Sequence, residues 1–135
     1  MTVEWSATSP QTGRVGAVMR TAFPELEARF LELRALGAGY VEVALLTEDS
    51  PQVTLGFRGD HAVIDQLRGL DEDPTSFLLV GDGSLSPHGT VKVPVLDDDA
   101  VFSGDFVMTV DRAWEAVREF VSSGSVDGLG EWYQL

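Results

Sequence analysis

The chain has 135 residues, of which 44% are hydrophobic, 22 acidic and only 9 basic, for a formal net charge of −13, and it contains no cysteine. That length fits one domain around one core, the missing thiol excludes disulfides and cysteine nucleophiles, and no stretch nears the roughly 18 consecutive apolar residues of a membrane-spanning helix. So negative a balance disfavours free association with nucleic acid, which needs a positive patch and the counterion release that accompanies it.

At the start, Val3, Glu4, Trp5, Ser6 and Ala7 alternate as in a short strand, closed by a turn through Ser9, Pro10 and Gly13. The same stretch carries neither the basic start nor the apolar run of a secretion signal, so a cytoplasmic location is expected. Residues 14–22 read two ways: Val15, Val18, Met19 and Ala22 fit a helix, whereas Gly16 weakens one and leaves room for a second hairpin strand. The hairpin is the preferred of the two. Pro24 suits an early helical position where its missing N–H costs nothing, and Glu25 and Glu27 favour the positive end. With Leu26, Phe30, Leu33 and Leu36 forming a stripe that stops at Gly37, the spacing predicts a helix over 24–36.

Strand-like runs follow at 40–47, 52–58, 61–67, 77–81 and 90–96, with breaks at 48–51, 59–60, 71–74, 81–89 and the acidic turn 97–99. A connection as short as Gly59-Asp60 permits only a hairpin, so neighbouring strands are expected to be antiparallel. In the first run, Val41, Val43 and Leu45 alternate with Glu42 and Ala44, which fits a sheet with one covered face and one wetter face. Ser103, Gly104 and Asp105 suggest a bulge or bend.

Near the end, Val110, Ala113, Trp114, Val117, Phe120 and Val121 recur at spacings of three and four and line one face of a helix over 110–122. Thr109 stands where an N-cap accepts the first free N–H groups, Asp111 lies in the positive first turn, and Gly124 supplies a left-handed stop. A polar turn then leads to a short final strand within 131–135. The fold class predicted for residues 1–135 is a single α+β domain, an antiparallel sheet packed by these two helices. Trp5, Trp114, Phe120 and Trp132 fall at positions turned inward, as core.

Chemistry is sparse. His61 and His88 have no second ligand three or four residues away, so no zinc site is expected. Gly81-Asp82-Gly83 begins like a dinucleotide fingerprint, but Ser86 takes the place of the third glycine and no helix pattern follows. Neither Asp71-Glu72-Asp73 nor Asp97-Asp98-Asp99 has the glycine or the closing glutamate of a helix-loop-helix calcium site. Ser84, Ser86 and Ser103 lack a nucleophile elbow. The expectation is a protein without catalysis, cofactor or metal.

The order helix, strands, acidic turn, then Ala113-Trp114-Glu115-Ala116-Val117-Arg118-Glu119-Phe120, Gly124 and Trp132 resembles the first-numbered family of bacterial polymorphic-toxin immunity proteins, over roughly residues 26–135. That family closes with an alanine-rich helix ending in phenylalanine, a threonine-glycine turn, a proline and a final tryptophan. Phe120, Gly124 and Trp132 match, while Ser123 replaces the threonine and Asp127 stands near the proline position. The resemblance implies an intracellular antidote that binds a cognate toxin domain, a nucleic-acid deaminase or nuclease, and occludes its active site. An acidic inhibitor suits such a target, because it presents carboxylates where phosphates would lie in a positive groove. The candidate contact residues are Asp71, Glu72, Asp73, Asp82, Asp97, Asp98 and Asp99, and the expected partner is a basic protein, with no nucleic acid and no membrane. The alternatives are a stand-alone interaction domain and a small enzyme with a site built from Asp82, His88 and the 81–89 loop.

Overall fold

In the computed structural model, which describes residues 2–11, 16–47, 49–69, 73–96 and 98–135, the alternating start is β1 (Thr2–Thr8) and its hairpin partner is β2 (Met19–Ala22). Helix α1 (Phe23–Leu36) leads into β3 (Ala38–Leu45), β4 (Gln52–Arg58), β5 (His61–Arg68) and β6 (Thr75–Leu79). Next come β7 (Thr90–Val95), β8 (Asp98–Ser103), a single 3-10 turn at Gly104–Phe106, β9 (Met108–Thr109), α2 (Val110–Ser123) and β10 (Trp132–Gln134). The main sheet runs β10-β6-β5-β4-β3-β1-β2, antiparallel throughout, with β9 pairing the start of β5.

The α+β class and both helices are as the periodicity predicts. Thr109 accepts the Arg112 N–H through its hydroxyl, and Gly124 ends α2 at φ 77°, a left-handed conformation that a side chain would resist. Between the two readings of residues 14–22, Met19–Ala22 is a strand, held by the pairing Trp5↔Met19 through Thr2↔Ala22; Arg14 and Val15 lie outside the described residues. Two expectations need correction. Asp98 and Asp99 belong to no turn but open β8, a strand the acidic composition hid, whose pairing with β7 overrides the poor strand propensity of aspartate. The bend at 103–105 is a 3-10 turn capped by Ser103, whose hydroxyl accepts the Asp105 N–H.

Both helices cover one face of the sheet. Val3, Val41, Val43, Val53, Leu55, Phe57 and Ile64 turn toward them and meet Leu26, Phe30 and Leu33 of α1 and Ala113, Trp114, Val117 and Phe120 of α2 in one core. At roughly 1.5–3 kcal/mol per large apolar side chain buried, this layer supplies most of the gross drive to fold. Phe30 and Trp114 stack with ring centroids 4.0 Å apart and planes 4° from parallel, joining the helices to each other.

The opposite face carries the β7–β8 ribbon. Val93 of the ribbon packs with Val63, Leu78 and Val107 in a second, smaller core. Gly56 makes this contact possible: a Cβ there would stand 2.5 Å from the Pro94 carbonyl oxygen, so only a residue without one lets the ribbon lie directly on β4. Arg58 clamps the far side, donating to the Lys92 carbonyl at 2.9 Å and to the Asp99 carboxylate at 3.0 Å. The ribbon covers only part of this face, and what it leaves open is the candidate site.

Candidate functional site

Alternation along a strand sends every second side chain to the ribbon side. On β3 these are Tyr40 and Glu42, on β4 Gln52 and Thr54, on β5 Asp65. Register then assembles them: Glu42↔Thr54 and Thr54↔Asp65 are paired positions, so the three form a row across adjacent strands, with Ser6↔Glu42 extending it to β1. The two carboxylates flank Thr54 two strand spacings apart, roughly 10 Å between backbones. Thr54 donates to the Asp65 carboxylate at 3.1 Å, and the Gln52 amide donates to Glu42 at 2.6 Å.

Where the row runs under the edge of the ribbon there is a half-open cleft of about 210 Å³, with Tyr40, Thr54 and Asp65 on the sheet side and Val95, Ala100 and Phe102 on the ribbon side. Burial pushes the Asp65 carboxyl above the usual aspartate range; the Thr54 hydrogen bond partly opposes this and the charge on Glu42 adds to it. Tyr40 is driven the same way, first by burial and next by the neighbouring negative charge of Glu42, so its phenol stays protonated far into the alkaline range. A smaller hollow of about 110 Å³ continues the open face toward β1, between Glu4, Ser6, Glu42 and Gln52. The arrangement offers acceptors on a floor beneath apolar walls, a surface fitted for binding.

The acidic residues singled out from the sequence do not converge. Asp71, Glu72 and Asp97 lie outside the described residues. Asp73 is exposed at the bend before β6, at the end of the sheet where Arg68 pairs with Thr75. Asp82 follows the other end of β6 and works inside the fold: its two oxygens accept the backbone N–H groups of Ser84 at 2.9 Å and Thr109 at 3.0 Å. Burial nudges its carboxyl up, but the hydrogen bonds from Ser84 and the Thr109 backbone outweigh this and hold it below the usual range. Asp98 is exposed, its carboxylate accepting the Asp99 N–H, and Asp99 is committed to Arg58. By register Asp98 shares the sheet-facing side of the ribbon with Val93, Val95 and Ala100 and pairs with Val95, a residue of the cleft that Asp98 itself does not line. His88 sits exposed in the 81–89 loop, its N–H on the Ser86 hydroxyl.

Sequence reasoning passed over Tyr40, Thr54 and Asp65 as site residues and noted Glu42 only as the wet side of a strand. One signal was present: an aspartate in the interior of His-Ala-Val-Ile-Asp-Gln-Leu-Arg, where strands rarely tolerate one without a reason. Among the described residues no group of three or more His, Cys, Asp or Glu side chains is arranged to hold a metal ion. No protein-family model, curated protein or solved structure matches the chain.

Proposed function

We propose that this chain is an immunity protein: in the cytoplasm of a bacterium it binds a cognate basic toxin domain that acts on nucleic acid and occludes the toxin's substrate groove, without chemistry of its own. The observation that carries the reading is the disposition of charge. Arg20, Arg29, Arg34, Arg58, Arg68 and Arg118 each close an ion pair with a carboxylate of the chain itself, and Arg112 donates to the Leu129 carbonyl. With those seven arginines so engaged, a chain of net charge −13 has a large surplus of carboxylates to present outward.

Such a surface attracts a basic groove over distances of the order of the Debye length, about 8–10 Å at physiological salt, and orients it before contact. On the partly open sheet face, the cleft holding Asp65 and the adjoining hollow holding Glu42 each combine a concave surface with a carboxylate that enters no ion pair among the described residues. The C-terminal order Phe120, Gly124, Trp132 supports the same reading through its resemblance to toxin antidotes.

The test is co-expression with the toxin-like domain encoded by the adjacent reading frame. Restored growth together with co-purification of the two chains is the expected result. Continued toxicity with no complex would remove the proposal.

A further inference from the structure

We propose that the cleft between the ribbon and the sheet is a socket for one arginine side chain of the protein partner, with Asp65 as its anion. The inference rests on the reading of the chain as a binding protein and names the group that it grips.

Asp65 is an expensive residue as it stands. Its carboxylate is half-buried in mid-strand, the hydrogen bond it receives among the described residues comes from Thr54, and none of the ion pairs among those residues includes it or Glu42. A carboxylate withdrawn from water without a cation is destabilising, and a cation delivered to it recovers that cost. Among the described residues every arginine is engaged elsewhere, and the cation is assigned to the partner.

The shape of the cleft selects the cation. Val95, Ala100 and Phe102 form an apolar wall above the carboxylate, which suits a charged head on an aliphatic stem and is wasted on a bare ion. On the floor, the Asp65 oxygens, the Thr54 hydroxyl and the Tyr40 phenol oxygen lie side by side on three neighbouring strands. A guanidinium, planar with five donors and weakly hydrated, can bond several of these acceptors at once; an ammonium is a compact, strongly hydrated point charge that gives up more on entering. The half-open mouth admits a side chain projecting from a larger surface docked on the ribbon edge.

The proposal is tested on the full chain by amide chemical shifts during titration with N-acetyl-arginine amide, N-acetyl-lysine amide and guanidinium chloride. Saturable shifts at Tyr40, Thr54, Asp65 and Val95 are expected with the arginine probe, with affinity weaker by about tenfold or more for the lysine probe and for Asp65→Asn, the loss of a charge-assisted hydrogen bond. Ala100→Trp, which fills the cleft from the ribbon and leaves Asp65 intact, should abolish the shifts as well. Absence of saturation at these amides, equal binding by lysine, equal saturation by guanidinium alone, or indifference to both substitutions would each overturn the socket. If the toxin domain co-purifies equally well with wild type, Asp65→Asn and Ala100→Trp, the socket falls while the immunity reading stands; if wild type itself captures no toxin, that reading fails on its own.

Discussion

Thr54 and Asp65 face each other across β4 and β5, the threonine hydroxyl donating to the aspartate carboxylate over 3.1 Å. That bond partly opposes the burial that raises the Asp65 carboxyl above the usual aspartate range, and the competition makes the residue a reporter of pH. Because the folded pKa lies above the unfolded one, the native state holds the extra proton in the window between the ordinary aspartate value and the raised one. Stability contributed by Asp65 is therefore present at low pH and is lost as pH rises through that window. Urea denaturation across mildly acidic pH should show this downward slope in wild type and its loss in Asp65→Asn, with the variant more stable than wild type at neutral pH. Thr54→Val should shift the slope to higher pH.

The Phe30–Trp114 stack ties α1 to α2, and Phe23 also stacks on Trp114 with a centroid separation of 5.6 Å. Trp114→Ala should cost about 3–5 kcal/mol, a large share of the stability of a domain this size. Combined with Phe30→Ala, the two losses should sum to more than the double variant shows, since each removes part of the same contact. Denaturant midpoints of the two single variants and the double variant measure the coupling.

Gly56 lets the ribbon touch the sheet. Gly56→Ala places a methyl 2.5 Å from the Pro94 oxygen, and because that neighbour is backbone it cannot swing aside. The expected cost is about 1–3 kcal/mol from overpacking. Hydrogen exchange should quicken along β7 and β8 while amides on the helix-covered core strands keep their protection, because the ribbon has its own small core.

Two exposed aspartates should part company in their effects. Asp98→Lys, opposite Val95 of the cleft, should slow association with the toxin domain and flatten its salt dependence, which stopped-flow mixing at two ionic strengths would show, with only a small loss of stability from the exposed bond to the Asp99 N–H. Asp82→Ala should leave the association rate nearly unaltered and lower stability by about 1 kcal/mol, because its carboxylate bonds the Ser84 and Thr109 N–H groups.

Much of the architecture was legible without coordinates because it is local. The three-and-four stripe of Val110, Ala113, Trp114 and Val117, the Thr109 cap and the Gly124 stop act within a few residues of one another, and each is realised in α2. The two-residue connection at Gly59-Asp60 likewise forces a hairpin whatever surrounds it. Reading aspartates as turn formers failed at Asp98 and Asp99, where pairing with Val95 and Pro94 and the Arg58 clamp outweigh intrinsic preference.

The site belongs to the other category. Nothing near residue 42 in the chain announces residue 65; they share a row because three strands align in one register, and Asp65 becomes costly because a ribbon formed thirty residues later settles on a glycine and leaves a cleft beside it. Helix identity, helix ends and surplus negative charge were properties of the sequence itself, being set by neighbours a turn away or by simple counting. Which carboxylates are withdrawn from water, and which are spent on internal hydrogen bonds, was decided by tertiary packing, since desolvation depends on everything that converges on a point in space.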